Sequence, residues 1–331
     1  AGVWEVVMTS SCRAVMVALL VWAALGCHHQ PPFLKSGDVL YYIYSNKVYK
    51  YDVSQQNKPV VVYDPEQEFK GDVIRLADLC KINESEMLTS LDVTLWSEGK
   101  PFENIRHEYR LIKINPRSGI VTEIYTSGPV SLLKQFRNED GSTQNRAVEY
   151  SRHAASADGQ KVAAYVSGEY KISVRRFQGT NTQEDLYNFD VDDFVLCPPF
   201  PCSFSPDGKT LTLSGISQTY GSCIFLLNLD SKQMVLWRRA LEGVFSPDGT
   251  RIAYSTETAI VVEERDTIIH NIHAPQLLRI DHWIDDTKIV FTAVKYLEVC
   301  YVGIADLDSG AVFRIDPPVK GSIDGACLFR F

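Results

Sequence analysis

The sequence predicts an all-β protein, a six-bladed β-propeller built of four-stranded antiparallel blades. Three observations lead to this prediction: a turn phrase recurs along the chain, a second strand phrase follows it, and one strand is left over at the C-terminus. A period of about 40 residues holds about four short strands, which is the content of one propeller blade. We therefore expect an array of similar blades in one ring.

The turn phrase reads Phe-Ser-Pro-Asp-Gly and is followed by a strand pattern. It occurs within residues 203–213 and 244–254, with a variant in 154–165. Proline sets φ for the second position of a type I turn, aspartate bonds nearby amides, and glycine accepts a positive φ. We therefore assign a structural role in these turns to the following residues: Asp158, Gly159, Pro206, Asp207, Gly208, Pro247, Asp248 and Gly249.

Strand patterns follow each turn phrase. Leu211 and Leu213 alternate with polar residues after the first glycine, which predicts a strand with one buried face. A second phrase, an apolar strand that ends in a polar turn, occurs at 223–231 and 301–310. We interpret this phrase as the third strand of a blade and the short apolar stretch after it as the fourth strand.

These residues resemble the repeats of TolB-type β-propellers, a WD-like repeat family. The resemblance rests on the Phe-Ser-Pro-Asp-Gly-x-x-Ile-Ala-Tyr phrase together with the strand Ile-Phe-Leu-Leu-Asn-Leu-Asp at 224–230. It covers 140–310 by these phrases and 38–130 by strand pattern alone. The resemblance implies the fold but not one function, because similar blades occur in periplasmic scaffold proteins, in the lids of prolyl-peptidase enzymes and in some glycan lyases.

Six blades fit the chain, and five or seven stay open as alternatives because the first two blades lack the turn phrase. The expected blades lie at 39–63, 72–125, 147–189, 191–237, 241–270 and 278–315. The first blade lacks one strand, and residues 325–331 form a leftover strand. We expect this C-terminal strand to complete the first blade, because closure removes an open sheet edge.

The N-terminal residues 1–26 have the pattern of a signal peptide, with 1–7 as extra upstream sequence. An apolar run at 14–25 follows Arg13; it is short for a membrane span and suits a secretory signal. Gly26-Cys27 then resembles a bacterial lipobox, in which the cysteine becomes lipidated. Three hypotheses stand in order of preference: a lipoprotein anchored at Cys27, a soluble exported protein, and a protein that retains its N-terminal anchor.

The lipoprotein hypothesis predicts the location and the domain order. His28 differs from the aspartate that is associated with inner-membrane retention, so we expect a periplasmic protein anchored to the outer membrane. Residues 27–37 then form a tether, and residues 38–331 form a single propeller domain. In this interpretation the membrane is contacted through the lipid anchor only.

Composition limits the partners and the cysteine chemistry. The chain has 331 residues, a net charge of −8 and no basic run longer than two residues, so we expect no nucleic-acid partner. An oxidising compartment permits disulfides, and Cys197 and Cys202, separated by a proline-rich loop, are the candidate local pair. The alternative is that several of the eight cysteines are buried apolar thiols.

No sequence motif assigns a catalytic residue, a metal ligand or a cofactor. The chain has no Gly-x-Ser-x-Gly, no His-Glu-x-x-His and no phosphate-binding glycine loop. Our leading hypothesis is a non-catalytic protein of the cell envelope that binds an envelope protein through loops on one face of the ring. The alternative is a propeller that binds a glycan or small ligand, or acts as a lyase-like enzyme, in its central channel. Histidine, arginine, tyrosine and carboxylate side chains that converge at one channel mouth would favour this alternative.

Overall fold

The structure is a computed structural model that describes part of the chain. The described residues are 37–53, 58–68, 73–95, 106–127, 130–131, 133–137, 143–147, 150–166, 171–178, 181–188, 197–273, 277–295, 298–315 and 326–330. The predicted signal peptide, the lipidation site Cys27 and most of the tether therefore lie outside the described residues. Within the described ranges, no helix is long and apolar enough to cross a bilayer.

Six four-stranded antiparallel blades form the ring, as the sequence predicts. Blade 1 contains β1 (Asp38–Tyr44), β2 (Lys47–Asp52) and β3 (Val60–Tyr63), and blade 2 contains β4 (Val73–Asn83), β5 (Glu86–Leu95), β6 (Arg106–Ile114) and β7 (Val121–Thr126), with β8 (Val130–Ser131) beside β6. A separate pair of strands follows, β9 (Leu133–Arg137) and β10 (Thr143–Ala147). Blade 3 contains β11 (Tyr150–Ala155), β12 (Lys161–Val166), β13 (Lys171–Gln178) and β14 (Asn181–Asn188).

Blades 4 to 6 follow the same order. Their strands are β15 (Cys197–Phe204), β16 (Thr210–Ser217), β17 (Gly221–Asn228) and β18 (Gln233–Arg238); β19 (Gly243–Phe245), β20 (Arg251–Ser255), β21 (Ala259–Glu264) and β22 (Thr267–His273); and β23 (Leu277–Asp285), β24 (Lys288–Lys295), β25 (Glu298–Asp306) and β26 (Ala311–Ile315). The last strand is β27 (Ala326–Arg330), and a short 3-10 helix, Pro65–Gln67, follows β3.

The C-terminal strand closes the ring by completing blade 1. Strand β27 is antiparallel to β1, with Cys327 opposite Tyr41 and Phe329 opposite Val39. It contacts β4 of blade 2 and β23 of blade 6, so it is the innermost strand of its blade. The predicted closure is therefore confirmed.

The two faces of the ring differ in their connections. Antiparallel order within each blade places the turns after the first and third strands on one face, which we call the turn face. The other connections lie on the opposite face, which we call the linker face. The turn face carries the tight turns of the repeat phrase. Long connections start and end on the linker face, between Leu95 and Arg106, Thr126 and Tyr150, and Asn188 and Cys197.

The hydrophobic core is divided into six layers between neighbouring blades. In the layer between blades 3 and 4, for example, Val174 and Tyr187 pack against Leu211 and Leu213. The expectation that β16 has one buried face was wrong, because Thr212 is also fully buried. An inner blade strand has a neighbouring blade on each side, and the Thr212 hydroxyl donates a hydrogen bond to the Gly243 carbonyl of blade 5, 2.7 Å away.

The connection between blades 2 and 3 also differs from expectation. Residues 135–146 are mostly polar, a composition that predicts a long loop. The structure instead forms the hairpin β9–β10 there, with Thr143 opposite Arg137 and Ala147 opposite Leu133. The segment is polar because its two strands form a separate two-stranded sheet on the linker side and belong to no blade.

Candidate binding site at the channel mouth

The turn-phrase residues hold the turn face together through their own hydrogen bonds. In blade 4, the Ser205 hydroxyl donates to Asp207 Oδ1 at 2.6 Å and accepts from the Thr210 amide at 2.9 Å. The Lys209 amide donates to Asp207 Oδ1 at 3.0 Å. Gly208 closes the turn by donating its amide to the Ser205 carbonyl, with φ at +65°. All these groups bond within the turn.

The turns of blades 3 and 5 have the same bonding. The Ser156 hydroxyl donates to Asp158 Oδ1 at 2.5 Å, and Gly159 has φ at +67°. In blade 5, Gly249 has φ at +73°, and its Cα lies against the ring of Pro206 from the preceding blade. Pro247 is exposed at the corner of its turn.

The turn aspartates are held in their ionised form. Side-chain hydrogen bonds from Ser246 and Thr250 lower the pKa of Asp248 to about 2. The hydroxyl of Ser205 and the Lys209 amide likewise lower the pKa of Asp207. A carboxylate that accepts bonds from its own turn stabilises a backbone shape, which is the role the sequence predicts for it.

A different set of residues converges inside the ring. We call it the channel-mouth cluster, and its members come from the inner strands, or the residues just before them, of four blades: Arg152, His153, Phe200, Glu242, Arg279 and Asp281. Cys80 of blade 2 and Cys202 of blade 4 lie beside the same cavity. Arg152, Glu242 and Arg279 lie near the N-terminal ends of β11, β19 and β23, the ends that point to the linker face.

β-Bulges direct three of these side chains into the cavity. The register shifts by one residue at Arg152 in β11, at Cys202 in β15 and at Asp281 in β23. A bulge inserts an extra residue into one strand and changes the direction of its side chain. Three inner strands are therefore irregular at the level where they line the cavity.

Arg152 is the exposed member of the cluster. Its backbone has φ at +52°, a left-handed conformation that is costly for a residue with a β-carbon. Its guanidinium lies over the Phe200 ring, 4.9 Å from the centroid. The Phe200 ring of blade 4 thus positions the guanidinium of Arg152 in blade 3, a residue that is exposed to solvent.

The acidic members are more deeply buried. The Asp281 side chain is 2% exposed; Asp281 Oδ1 lies 3.3 Å from Arg279 Nε, and Oδ2 accepts a hydrogen bond from the Thr292 hydroxyl at 2.7 Å. Glu242 is 7% exposed. Both carboxylates are thus buried in the lining of the cavity, whereas Arg152 is exposed at its mouth.

His153 connects the cluster to a buried network between blades 2 and 3. Its Nε2 lies 2.5 Å from the Tyr109 hydroxyl, and the two rings stack. Arg175, which is 1% exposed, lies over the rings of Tyr109 and Tyr125 and forms an ion pair with Glu184 at 2.9 Å. These contacts hold His153 in position on its side towards blade 2.

Cys202 is a free thiol in this structure, so the candidate bridge to Cys197 is not formed in it. Both cysteines lie on β15, where five residues of extended strand span about 16 Å. A disulfide needs Cα atoms within about 7 Å of each other. Burial, and then the charge of Glu242, raise the pKa of the Cys202 thiol.

The cavity is narrow. Its volume is about 350 Å³ when the open mouth is included, but the enclosed part has room for little more than one water molecule. It can therefore accept the tip of one protruding group. Among the described residues, no group of three or more histidine, cysteine or acidic side chains is placed to hold a metal ion.

Sequence reasoning did not find the channel-mouth cluster. Its residues belong to no motif, and they are spread from Arg152 to Asp281. One signal was available in the sequence. Cys80, His153, Cys202 and Asp281 occupy equivalent positions, each two residues before the apolar residue that precedes the first turn of its blade. Equivalent positions of successive blades share one level of the channel, so aligning the repeats would have grouped them.

Comparisons with known proteins identify the fold. No protein-family model matches the chain, and no curated protein matches it. TolB from Acinetobacter baumannii is similar in structure, with a TM-score of 0.56, 13% identity, and coverage of 98% of this chain and 74% of that chain. A chain of the nidogen/laminin complex has a TM-score of 0.56 and 12% identity, covering 88% of this chain and 98% of that chain.

A third structure, a TolB-type protein from Agrobacterium tumefaciens, has a TM-score of 0.52 and 16% identity, with coverage of 90% of this chain and 99% of that chain. Identities this low establish a shared fold. The repeat phrase, the six blades and these structures agree. This chain therefore has the fold of a six-bladed β-propeller and is similar in structure to TolB.

Proposed function

We propose that this protein is a non-catalytic scaffold of the bacterial cell envelope that binds a partner protein through the linker face of its ring. The single observation that carries the proposal is that the longest blade connections start and end on the same face as the strand ends beside Arg152, Glu242 and Arg279. Loops above a rigid ring are a common place for recognition. The turn face, in contrast, uses its polar groups to bond its own turns.

The width of the cavity supports recognition at a surface. A cavity with room for about one water molecule cannot enclose a sugar ring without rearrangement. It can take a single side-chain tip from a partner that lies across the mouth. One of the structurally similar chains comes from a complex of two proteins, nidogen and laminin.

The predicted anchor is compatible with this use of the linker face. Strand β1 begins at Asp38, opposite Arg330 at the end of β27, and this end of blade 1 lies on the turn face. A tether at 27–37 that is lipidated at Cys27 would therefore join the ring on the turn face. The linker face would then be directed away from the membrane.

Crosslinking in cells tests the proposal. The tagged protein is crosslinked in its native envelope and purified, beside a Cys27→Ala variant and an untagged control. We expect a discrete protein partner whose recovery falls with Cys27→Ala, because the anchor concentrates the protein at the membrane. Recovery of no protein by the wild-type chain would contradict the proposal.

A second candidate function is a propeller that binds a small polar ligand or a glycan in the channel. The observation that favours it is the convergence of two arginines, one histidine and two carboxylates at the mouth. A glycan recovered without protein in the same purification would support this candidate. Substrate screening of the purified protein would then follow.

A further inference from the structure

We propose that the channel mouth recognises a carboxylate group of the partner through the guanidinium of Arg152. This inference deepens the proposed function by naming the chemistry that the linker face selects. The carboxylate can belong to an aspartate or glutamate side chain or to a chain terminus. The exposed guanidinium, its strained backbone and the placement of the neighbouring charges lead to this inference.

The charge that a partner meets first at the channel mouth is positive. Arg152 is exposed, whereas Asp281 and Glu242 are buried deeper in the same cavity. Asp281 lies beside Arg279 and accepts a bond from Thr292. A group that approaches from solvent therefore meets a cation before it meets either carboxylate.

The shape of the Arg152 guanidinium suits a carboxylate. A guanidinium carries five N–H donors in a planar fork, which matches the two oxygens of a carboxylate. Stacking over Phe200 restricts the plane of the Arg152 fork. A preoriented fork loses less entropy when it binds than a freely rotating side chain would.

The backbone of Arg152 has a strained conformation. Arg152 is the extra residue of a bulge and has φ at +52°, a conformation in which glycine would carry no steric cost. Strained non-glycine residues of this kind cluster at binding sites, where the surroundings hold them in place. The Phe200 contact provides such a hold on the side chain.

Glu242 lines the same cavity as Arg152. Charges of both signs act there: burial and then Glu242 raise the pKa of the buried Cys202 thiol, whereas Arg152 and Arg279 lower it. A carboxylate bound by Arg152 is therefore repelled by Glu242. Neutralising Glu242 should therefore strengthen carboxylate binding, which is a direction that a structural role would not predict.

The test uses arrays of short peptides and the purified full chain. One set carries internal aspartate or glutamate with an amidated C-terminus. A second set has no acidic side chain and a free C-terminal carboxylate. A third set is amidated and has asparagine or glutamine in place of the acids. Retention of the first set over the third assigns the source to side chains, and retention of the second set assigns it to chain termini.

The variants separate binding from folding. Arg152→Gln should lower retention of carboxylate peptides by about tenfold or more, the size expected for loss of a charge-assisted hydrogen bond. Arg152→Lys should also lose most of it, because an ammonium lacks the planar fork. Arg152→Gly should lose binding while its melting temperature is equal or higher. Glu242→Gln should raise retention.

Arg265 supplies the matched control, since it is also exposed and also has a positive φ, +47°, but lies on the turn face. Arg265→Gln and Arg265→Gly should leave retention unchanged. Equal retention of the acidic and amide peptides, or an equal loss with the Arg265 variants, would overturn the inference. If an envelope partner binds the Arg152→Gln variant as well as it binds the wild-type protein, the carboxylate inference is overturned and the proposed function stands. Binding of carboxylate peptides without recovery of any envelope protein by crosslinking would contradict the proposed function and support the inference.

Discussion

At the scale of single residues, one close contact in blade 6 shows how tightly the blades are packed. Gly303 in β25 is opposite Phe291 in β24, and a β-carbon on Gly303 would lie 2.1 Å from Phe291 Cζ. Phe291 is fully buried between blades 5 and 6. Glycine is therefore required at 303 by the neighbouring ring, because the ring occupies the place of a side chain.

Gly303→Ala should lower the free energy of unfolding by about 1–3 kcal/mol, because the added methyl group overpacks the Phe291 ring. Urea unfolding of the wild type and the variant measures this change. In a Phe291→Leu background the same substitution should cost less, because the two positions are in contact. Equal costs in the two backgrounds would show that the contact is not the cause.

At the scale of elements, basic side chains link the turn of one blade to the turn of the next. Lys161, at the start of β12, donates a hydrogen bond from Nζ to the Gly208 carbonyl in the blade 4 turn, at 2.6 Å. Arg251 of blade 5 similarly lies 3.7 Å from Asp286 of blade 6. These contacts couple the rigid turns around the ring.

Lys161→Met should lower the free energy of unfolding by about 1–2 kcal/mol, since it removes a charge-assisted bond to a backbone carbonyl. Lys209→Met is the matched control, because Lys209 is in the same turn face and is exposed. Chemical denaturation of both variants gives the comparison. A Lys161→Met protein as stable as the control would contradict the coupling of turns.

At the scale of the whole molecule, stability depends on the seam where the two ends of the chain meet. Strand β27 covers parts of two core layers, with Cys327 in the layer between blades 1 and 2 and Leu328 in the layer between blades 6 and 1. The Leu328 amide also donates to Nε2 of His282, 3.4 Å away in β23. The seam is thus held by pairing, packing and a histidine.

Deletion of residues 325–331 should destabilise the ring far more than an ordinary terminal truncation. Loss of the buried Leu328 side chain alone costs about 2–5 kcal/mol, and the deletion also opens the edge of β1. Thermal melts of the truncated and full chains measure the effect, with Leu328→Ala as a graded intermediate. An unchanged melting temperature would show that the ring does not depend on this closure.

His282 should make the seam sensitive to acid. Burial, and then the positive charge of Lys81, lower the pKa of His282 well below its ordinary 6.5. Its folded form stays neutral while the unfolded chain takes up a proton near pH 6.5, so stability is complete above that pH and falls as the pH drops toward the folded pKa. His282→Gln keeps an acceptor for Leu328 and should flatten this dependence.

Urea unfolding at pH values above and below 6.5 tests this expectation. His273→Gln, a change at an exposed histidine of β22, serves as the control and should keep the wild-type pH dependence. A His282→Gln protein that loses as much stability in acid as the wild type would place the effect elsewhere.

The repeat phrase made most of the fold predictable. Turns such as Ser205–Thr210 depend on bonds between residues at most five apart, so their sequence specifies them directly. The spacing of about 40 residues and a spare C-terminal strand then predict a closed ring. The hairpin β9–β10 was missed because its polar composition resembles that of a loop. The burial of Thr212 was missed because the alternation of apolar and polar residues predicts one buried face, whereas each blade packs between two neighbouring blades.

The sequence by itself determined the fold class, the turn residues and the closure by the last strand, and it favoured six blades over five or seven. These features follow from local bonding and from the period of the repeat, which are properties of the chain as written. Only the tertiary structure decided which charges meet at the channel mouth. Arg152 and Asp281 are far apart in the chain and become neighbours because each blade contributes its innermost strand to a common axis.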